Sequence, residues 1–310
     1  MSKNINRFSE KDNKGDFSKG RTKIYENIQI FKCPVCGSRM FSNNLKSIYC
    51  LNNHCFDISK RGYVNLLMKS VKSLYDKKLF ESRNIICRSS FYSPVIEHIS
   101  DLIAEGMSNT HSNNIKIIDA GCGEGSHLTK IIDSLHSKTN INFLGVGIDI
   151  SKEGIQIASK NYSDHVWCVA DLANMPFMDS KFDIVLNILT PSNYAEFLRI
   201  ITDKGLLIKV VPGSKYFKEL RDLFYNKTDK KTYSNDMIIK YFSNQFNVIG
   251  TKNIEYKRTL NKESFEHLIN MTPLSWGVGY EEIQKALNFG INDITVDLTI
   301  ILGTKKYQRF

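Results

Sequence analysis

Residues 117–125 read IIDAGCGEG, in which a short apolar run passes directly into a turn with three glycines. Glycine adopts backbone angles that a β-carbon forbids, and it lets a ligand approach the main chain closely. In an open parallel sheet, ligands bind beyond the carboxyl ends of the strands, where such turns lie. The segment therefore predicts an α/β fold with a ligand-binding loop after one of its first strands.

This loop differs from the one that binds dinucleotides. The dinucleotide loop has the pattern G-x-G-x-x-G, whereas this chain has Ser126 where the third glycine should be. Asp119, at the end of the strand, would also be unfavourable beside a pyrophosphate. A carboxylate at that position suits a cationic sulfonium cofactor that carries an amino group. The loop therefore favours S-adenosylmethionine over a nicotinamide cofactor.

Apolar runs of strand length alternate with segments of helical pattern along much of the chain. Strands are predicted at 115–121, 142–149, 165–170, 182–188 and 205–211. Helices are predicted near 126–137, 152–161 and 192–201, and a helical pattern also covers 79–105. Short helical crossovers between apolar strands indicate a doubly wound parallel sheet that is covered on both faces.

Two long strands are predicted near the carboxyl end, at 246–256 and 293–303. A late antiparallel pair added to a parallel sheet resembles the plan of the class I methyltransferases. The resemblance implies a Rossmann-like class I methyltransferase sheet.

Two more carboxylates follow the next strands of the predicted sheet. Asp149 ends the second strand, where it can accept hydrogen bonds from both ribose hydroxyls. Asp171 follows the third strand, where it can accept from the adenine amino group, with Leu172 beside the ring. Acidic residues at the ends of three consecutive strands predict S-adenosylmethionine as the cofactor. The predicted cofactor-binding residues are Asp119, Gly121, Gly123, Glu124, Gly125, Asp149, Asp171 and Leu172.

Four residues near the amino end have the spacing of a zinc site: Cys-x2-Cys, thirteen residues, then Cys-x3-His. Zinc prefers four tetrahedral sulfur or nitrogen ligands, and a Cys-x2-Cys turn presents two thiolates to one ion. Cys55 is an alternative fourth ligand, because it lies beside His54 and adjacent side chains rarely both reach one ion. The spacing predicts a zinc ribbon with the ligands Cys33, Cys36, Cys50 and His54.

The length of 310 residues allows one large domain and one smaller module. We expect a disordered basic tail at 1–29, a zinc ribbon at 30–67, a linker with leading helices at 68–110 and a methyltransferase domain at 111–310. In this division the segment GYVNLL ends the ribbon. The amino end lacks the pattern of a secretory signal, and no apolar run is long enough to span a membrane, so we expect a cytoplasmic protein.

The net charge of +10 is concentrated in the first 80 residues, which contain 16 Lys and Arg against 6 Asp and Glu. The remaining residues hold 26 of each kind. A concentrated basic surface is typical of proteins that bind polyanions, so we expect a nucleic-acid partner. The candidate phosphate contacts, each of which could instead be a solvated charge, are Lys32, Arg39, Lys46, Lys60, Arg61, Lys78 and Arg83.

The order of these motifs is similar to that of the bacterial 23S ribosomal RNA (guanine-N1)-methyltransferases. The shared segments are the ribbon, FDISKRGYVNLL, IIDAGCGEG, TPSNYAEFLR, KVVPGSKYFKELR and MTPLSW, and the resemblance covers residues 31–310. It implies zinc on the four ligands above and methylation of guanine N1 in a 23S rRNA hairpin loop that lines the peptide exit tunnel. It leaves open which guanine is methylated, whether the protein confers macrolide resistance and whether it forms a homodimer.

The segment after the fourth strand bears on the methyl acceptor. It carries neither the Asn/Asp-Pro-Pro-aromatic motif of transfer to exocyclic amino groups nor a Pro-Cys nucleophile for transfer to carbon. The candidate acceptor-pocket residues are Thr190, Pro191, Asn193, Tyr194, Glu196 and Trp276.

The general base is left unknown. Glu196, Asn193 and Trp276 are the catalytic candidates, with Glu196 as a base and Trp276 as a stacking surface for a splayed base. Each of the three also has a structural interpretation. Glu196 could face solvent, Asn193 could stabilise the start of a helix, and Trp276 could belong to the core.

Other functions fit parts of the sequence. A transfer RNA guanine is an alternative acceptor, and so is a small molecule, because the same fold methylates quinones and other metabolites. A zinc and RNA-binding factor with a relict cofactor fold is the non-enzymatic alternative, which the intact acidic and glycine residues argue against. A substrate screen with total RNA and quinone precursors would distinguish an RNA acceptor from a small molecule. Failure to bind S-adenosylmethionine would favour the non-enzymatic alternative.

Overall fold

The computed structural model describes residues 17–69, 75–107, 112–225, 233–288 and 293–306. An eight-stranded sheet has the order β10-β11-β9-β8-β5-β6-β7-β4. The sheet is parallel from β4 to β9, while β11 and β10 are antiparallel to their neighbours. The strands are β4 (Tyr63–Asn65), β5 (Asn114–Ala120), β6 (Asn142–Asp149), β7 (Val166–Val169), β8 (Phe182–Ile188), β9 (Ile201–Pro212), β10 (Phe246–Thr259) and β11 (Asp293–Lys305).

Helices cover both faces of this sheet, because successive strand residues point to opposite faces and both sets are apolar. Ile117 belongs to one buried cluster and Ile118 to the other. Helices on the first face are α2 (Lys77–Arg88), α3 (Ser93–Met107), α4 (Ser126–Lys138), α5 (Lys152–Asn161), α7 (Lys218–Tyr225) and α9 (Lys262–Met271). The second face carries α1 (Phe17–Glu26), α6 (Tyr194–Ile200) and α8 (Asp236–Gln245). A further helix, α10, spans Tyr280–Asn288. The predicted doubly wound fold with a late antiparallel pair is confirmed.

A second sheet of three antiparallel strands forms the ribbon, with β1 (Met40–Phe41), β2 (Ser47–Cys50) and β3 (Cys55–Asp57) in that order. The ribbon packs directly on the large sheet. The Phe31 and Phe177 rings have centroids 5.3 Å apart, and the amide of Met178 donates to the carbonyl of Ile30 at 2.8 Å. The ribbon is therefore attached through buried apolar contacts as well as through the chain.

The position of β4 differs from the expectation that GYVNLL ends the ribbon. Its residues pair in parallel with β7, with Tyr63 opposite Trp167, and thereby form the edge of the large sheet. Val64 and Leu66 are buried on it. The apolar side chains of this segment fit a covered sheet better than the small ribbon, which has little surface to bury them.

The tail also differs from expectation over its described part. Residues 1–16 lie outside the described residues, but α1 forms where we expected disorder up to residue 29. Ile24 on α1 is fully buried, Gly20 packs against Gly62, and Arg21 Nε donates to the carbonyl of Ser59 at 3.0 Å. These tertiary contacts order a segment whose composition alone is too polar to predict a helix.

The predicted linker contains the helices α2 and α3, and residues 70–74 and 108–111 of it lie outside the described residues. Asp76 begins α2, because its carboxylate accepts a hydrogen bond from the amide of Leu79 at 2.8 Å. Over the part of the chain that the structure describes, none of the helices combines the length and apolar content that a membrane crossing requires.

Candidate active site and metal centre

The loop between β5 and α4 has the backbone that its glycines predict. Gly121, Gly123 and Gly125 have φ values of +87°, +57° and +84°, all in the left-handed region. A β-carbon on Gly121 would collide with the side chain of Thr190, which follows β8. The glycine loop therefore lies against the segment that the sequence assigns to the acceptor pocket.

Asp149 is held at the tip of β6 by two backbone amides. Its Oδ2 accepts from Gly123 at 2.8 Å and its Oδ1 from Ser151 at 2.8 Å. Each carboxylate oxygen has a further lone pair, and Asp149 lines the large cavity described below. Burial raises the pKa of Asp149, and the backbone hydrogen bonds only partly oppose this. The carboxylate is thus oriented in advance for a hydrogen-bond donor such as a ribose hydroxyl.

Asp171 and Leu172, after β7, line the same cavity. The Asp171 Oδ1 accepts from the amide of Ala173 at 2.8 Å, which fixes its direction. Asp119 differs, because its side chain is 1% exposed and is not among the cavity-lining residues. No described group bonds to its Oδ1, and burial raises its pKa to about 7. An orphaned carboxylate oxygen under the glycine loop fits a nearby cationic ligand.

Glu124, one of the predicted cofactor-binding residues, is not among the residues that line the cavity. It is 1% exposed, and its Oε2 accepts from Asn84 at 2.8 Å and from the Ser126 hydroxyl at 2.6 Å. Tyr162 completes this buried network. Glu124 therefore fastens α2 to the start of α4, and its effect on a ligand is indirect.

A cavity of about 1,340 Å³ extends from the glycine loop across the carboxyl ends of the strands. Gly121, Asp149 and Asp171 lie on one part of its wall. The rest of the wall is rich in aromatic side chains, which are Tyr75, Phe80, Tyr92, Tyr194, Tyr216, Phe217, Tyr225, Tyr233 and Tyr241. Ligand pockets commonly occupy about 300–1,000 Å³, so this space can hold more than one ligand.

The loop after β8 is strained at the cavity wall. Leu189 has a φ of +55°, a conformation that costs a residue with a β-carbon on the order of 1–3 kcal/mol. Asn187 holds the loop, because its Nδ2 donates to the carbonyls of Ala120 at 3.0 Å and Pro191 at 3.1 Å. Thr190 and Pro191 line the cavity as predicted acceptor-pocket residues.

Lys209 on β9 is a buried cation at this wall that the sequence reasoning missed. It is 4% exposed, and its Nζ donates to Oδ1 of Asn187 at 2.6 Å and to the carbonyl of Thr190 at 3.1 Å. Both partners are neutral, so burial lowers the pKa of Lys209 to about 8. A lysine inside the apolar run GLLIKVV is the sequence signal that could have identified it.

The three catalytic candidates are placed in structural roles or outside the cavity wall. The Asn193 side chain begins α6 by accepting from the amide of Glu196. Glu196 itself bonds to Arg199, with Nε to Oε1 at 2.8 Å, and to the amide of Met175 at 2.7 Å. Burial raises its pKa, but these bonds more than offset the effect, so the pKa of Glu196 is lowered. Glu196 is therefore poorly suited to act as a base.

Trp276 is half-buried and packs edge-on against Tyr75, with ring centroids 5.1 Å apart. It does not line the cavity, although the preceding residues Met271 and Leu274 do. The first residues of the MTPLSW segment, from Met271 to Leu274, therefore reach the cavity, whereas Trp276 does not.

The four predicted zinc ligands lie together, with their ligand atoms all within 4.8 Å of one another. A tetrahedral site with Zn–S of about 2.3 Å and Zn–N of about 2.0 Å needs S···S of about 3.8 Å and S···N of about 3.5 Å. Here Sγ of Cys36 and Cys50 are 3.7 Å apart, and Nδ1 of His54 is 3.4 Å from Sγ of Cys50 and 3.5 Å from that of Cys33. The donor atoms fit one zinc ion, and Cys55 is exposed outside the cluster.

The candidate phosphate contacts divide into two groups. Arg39, Lys46, Lys60, Arg61 and Lys78 are exposed, and Lys32 is half-buried at the base of the ribbon. Arg83 differs, because its side chain is only 20% exposed and lines the cavity beside the glycine loop. The structure thus places Arg83 at the cavity, apart from the exposed candidates.

Two family models match the chain. The one described as a methyltransferase domain matches residues 111–288, and the one described as RlmA, N-terminal, a zinc ribbon, matches residues 31–73. A Bacillus subtilis protein provisionally named as a 23S rRNA (guanine-N1)-methyltransferase is 40% identical over 280 residues, which are 90% of this chain and 98% of that protein. The 23S rRNA (guanine(748)-N1)-methyltransferase of Streptomyces fradiae is 23% identical over 276 residues, 88% of this chain and 95% of that enzyme.

Proposed function

The chain belongs to the 23S rRNA (guanine-N1)-methyltransferase family, and on that premise we propose that it methylates N1 of a guanine in a hairpin loop of 23S rRNA. The family predicted from the sequence is thereby confirmed. S-adenosylmethionine is the methyl donor and zinc is the metal of the ribbon.

One observation supports this function above the others. A single cavity joins the glycine loop and the carboxylates Asp149 and Asp171 to a wall of tyrosines next to Thr190. A base swung out of an RNA loop is held by stacking on aromatic side chains and by hydrogen bonds to its edges. The cavity therefore offers a donor compartment and a base compartment that meet at the loop after β8.

The chain's own residues would hold the donor across the ends of three strands. Asp171 and Leu172 would bind the adenine, Asp149 the ribose, and the glycine loop the amino-acid end. S-adenosylmethionine supplies an electrophilic methyl group when it is bound.

Lys209 gives the base compartment a positive charge where guanine needs one. When N1 of guanine loses its proton, negative charge spreads over N1 and O6. With a pKa of about 8, Lys209 is mainly protonated at neutral pH, and two of its three N–H groups are bonded to neutral acceptors. We assign the third N–H to O6, which would stabilise the deprotonated base and disfavour adenine, whose amino group is a donor at that position.

The exposed basic residues of the ribbon would contact RNA phosphates around the target loop. The cytoplasmic location predicted from the sequence stays a proposal, which a ribosomal RNA substrate supports. A homodimer stays a prediction, for which sedimentation of the purified protein is the measurement. The domain division predicted from the sequence also stays a proposal, with β4 moved into the catalytic domain.

Primer extension on ribosomal RNA tests the function, because a methyl group on N1 blocks Watson–Crick pairing and stops reverse transcriptase. Wild-type cells should give a stop next to one guanine of a 23S hairpin loop, and a deletion strain should lose it. The wild-type gene should restore the stop, while the Asp149→Ala gene should not. A stop that persists in the deletion strain would exclude this target, and a stop lost from transfer RNA would favour the transfer RNA alternative.

A further inference from the structure

Arg83 lies on α2, outside the segment that matches the methyltransferase domain, yet it reaches the glycine loop. A β-carbon on Gly123 would lie 3.4 Å from both Cζ and Nη1 of Arg83. The guanidinium therefore packs on the backbone of the loop at the point where that backbone has no side chain. It also lines the cavity.

The order of the strands shows which end of the donor this position faces. Asp171 follows β7, Asp149 ends β6 and the glycine loop follows β5, and these three strands are neighbours in the sheet. If the adenine lies at the end of β7 and the ribose at the end of β6, the amino-acid end of the donor lies at the end of β5. Arg83 is thus next to the part of the donor that carries a carboxylate.

The described carboxylates around Arg83 lie beyond hydrogen-bond distance of its guanidinium. The contact with Glu124 joins Arg83 Nε to Oε1 at 3.8 Å, and no other described carboxylate lies within 4 Å of its nitrogens. Among the described residues, the Cys87 thiol is a hydrogen-bond partner of the guanidinium, and no oxygen accepts from its five N–H groups within the usual geometry. A buried arginine that served only to neutralise Glu124 would be expected at hydrogen-bond distance.

We propose that Arg83 binds the α-carboxylate of S-adenosylmethionine through its paired N–H groups, so that a residue of the connecting helix completes the donor site. This rests on the donor assigned above. Two parallel N–H···O bonds match the geometry of a carboxylate, which a lysine cannot reproduce. Because α2 lies in the segment between β4 and β5, the proposal also gives this connecting segment a role in binding.

A thermodynamic cycle tests the proposal through binding alone. Isothermal titration calorimetry would compare S-adenosylmethionine with decarboxylated S-adenosylmethionine, which differs only by the carboxylate, on wild-type protein and on Arg83→Met. Wild-type protein should bind the decarboxylated compound about 10- to 100-fold more weakly. Arg83→Met should weaken binding of S-adenosylmethionine by a similar factor and should no longer distinguish the two compounds. Arg83→Lys should recover part of the difference.

Arg88→Met is the matched control, since Arg88 is exposed on the last turn of the same helix. It should behave as wild type. If Arg83→Met weakened both compounds equally, Arg83 would have a structural role only, and if it weakened neither, it would not contact the donor. If Arg83→Met fails to fold, the two compounds are compared on Arg83→Lys, which should distinguish them less than wild-type protein does. A wild-type protein that bound neither compound would overturn the donor assignment itself, which the RNA experiment tests separately.

Discussion

Glu196 and Lys209 lie on elements that adjoin the loop after β8, and their surroundings give them different roles. Glu196 has a guanidinium and a backbone amide as partners, so its charge is already compensated. Lys209 has two neutral oxygens as partners, so its charge is not compensated. An uncompensated buried charge lowers stability and is retained in proteins mainly where function uses it.

Lys209 should make stability rise with pH in a defined window. Its pKa is about 8 in the folded protein against the usual 10.5, so between these values the unfolded chain binds more protons. Folding therefore becomes more favourable as the pH rises from 8 to 10.5. Below pH 8 Lys209 is charged in the folded protein, and burying this charge has its full cost in stability. From pH 7.5 to 10, wild-type protein should gain about 2 kcal/mol in the free energy of unfolding relative to Lys209→Met.

Urea unfolding at the two pH values measures this difference, and contributions of other groups cancel between the two proteins. Lys204→Met is the control, because Lys204 is exposed on the same strand. It should show no pH-dependent difference from wild type. If the free energies of unfolding of wild-type protein and Lys209→Met differed by the same amount at both pH values, Lys209 would not be a buried charge with a lowered pKa.

The ribbon and β4 are adjacent in sequence but belong to different sheets. The ribbon has three short strands, and residues of its metal site, such as Cys36, are exposed. Such a module has too small a core to be stable without its metal. The strand β4, by contrast, is held by β7 and does not depend on zinc. Loss of the metal should therefore unfold the ribbon, while β4 keeps its pairing with β7 and the strands of the large sheet keep their order.

The double variant Cys33→Ser/Cys36→Ser tests this separation. It should contain no zinc and should lose RNA methylation by about 100-fold or more, while its affinity for S-adenosylmethionine changes less than about threefold. Metal analysis, methylation assays and calorimetry are the measurements. Cys55→Ser is the control, since Cys55 is exposed outside the cluster, and it should keep both zinc and activity. Normal methylation by the double variant would disprove a role of the ribbon in RNA binding.

At the scale of the whole molecule, the segment before residue 70 contributes to the core of the large sheet. Ile24, Phe31 and Val64 are fully buried in one cluster with strand residues such as Val166 and Cys168. The cluster would lose part of its cover if the amino-terminal segment were removed. The division into ribbon and catalytic domain is therefore not a division into independent folding units.

A fragment of residues 75–310 should show this in its stability. It lacks α1, the ribbon and β4, so apolar groups that are buried in the full chain become exposed. We expect its urea midpoint to be clearly lower than that of the full chain, or the fragment to aggregate. Circular dichroism during urea titration is the measurement. A fragment with the same midpoint as the full chain would support an independent catalytic domain.

The sequence by itself determined the features that depend on neighbours close along the chain. The strands Asn142–Asp149 and Phe182–Ile188 have the predicted bounds, because the period of apolar residues reflects the local backbone. The glycine turn and the zinc spacing are local for the same reason, since a few consecutive residues set both the backbone angles and the ligand atoms.

Only the tertiary structure decided which distant residues meet. Arg83 reaches Gly123 and Lys209 reaches Asn187 across separations of 40 and 22 residues, and β4 leaves the ribbon for β7. A basic residue looks the same in sequence whether it faces phosphate, a glycine loop or solvent. Its pKa, partners and accessible edge follow from desolvation and packing, which exist only once the chain has folded.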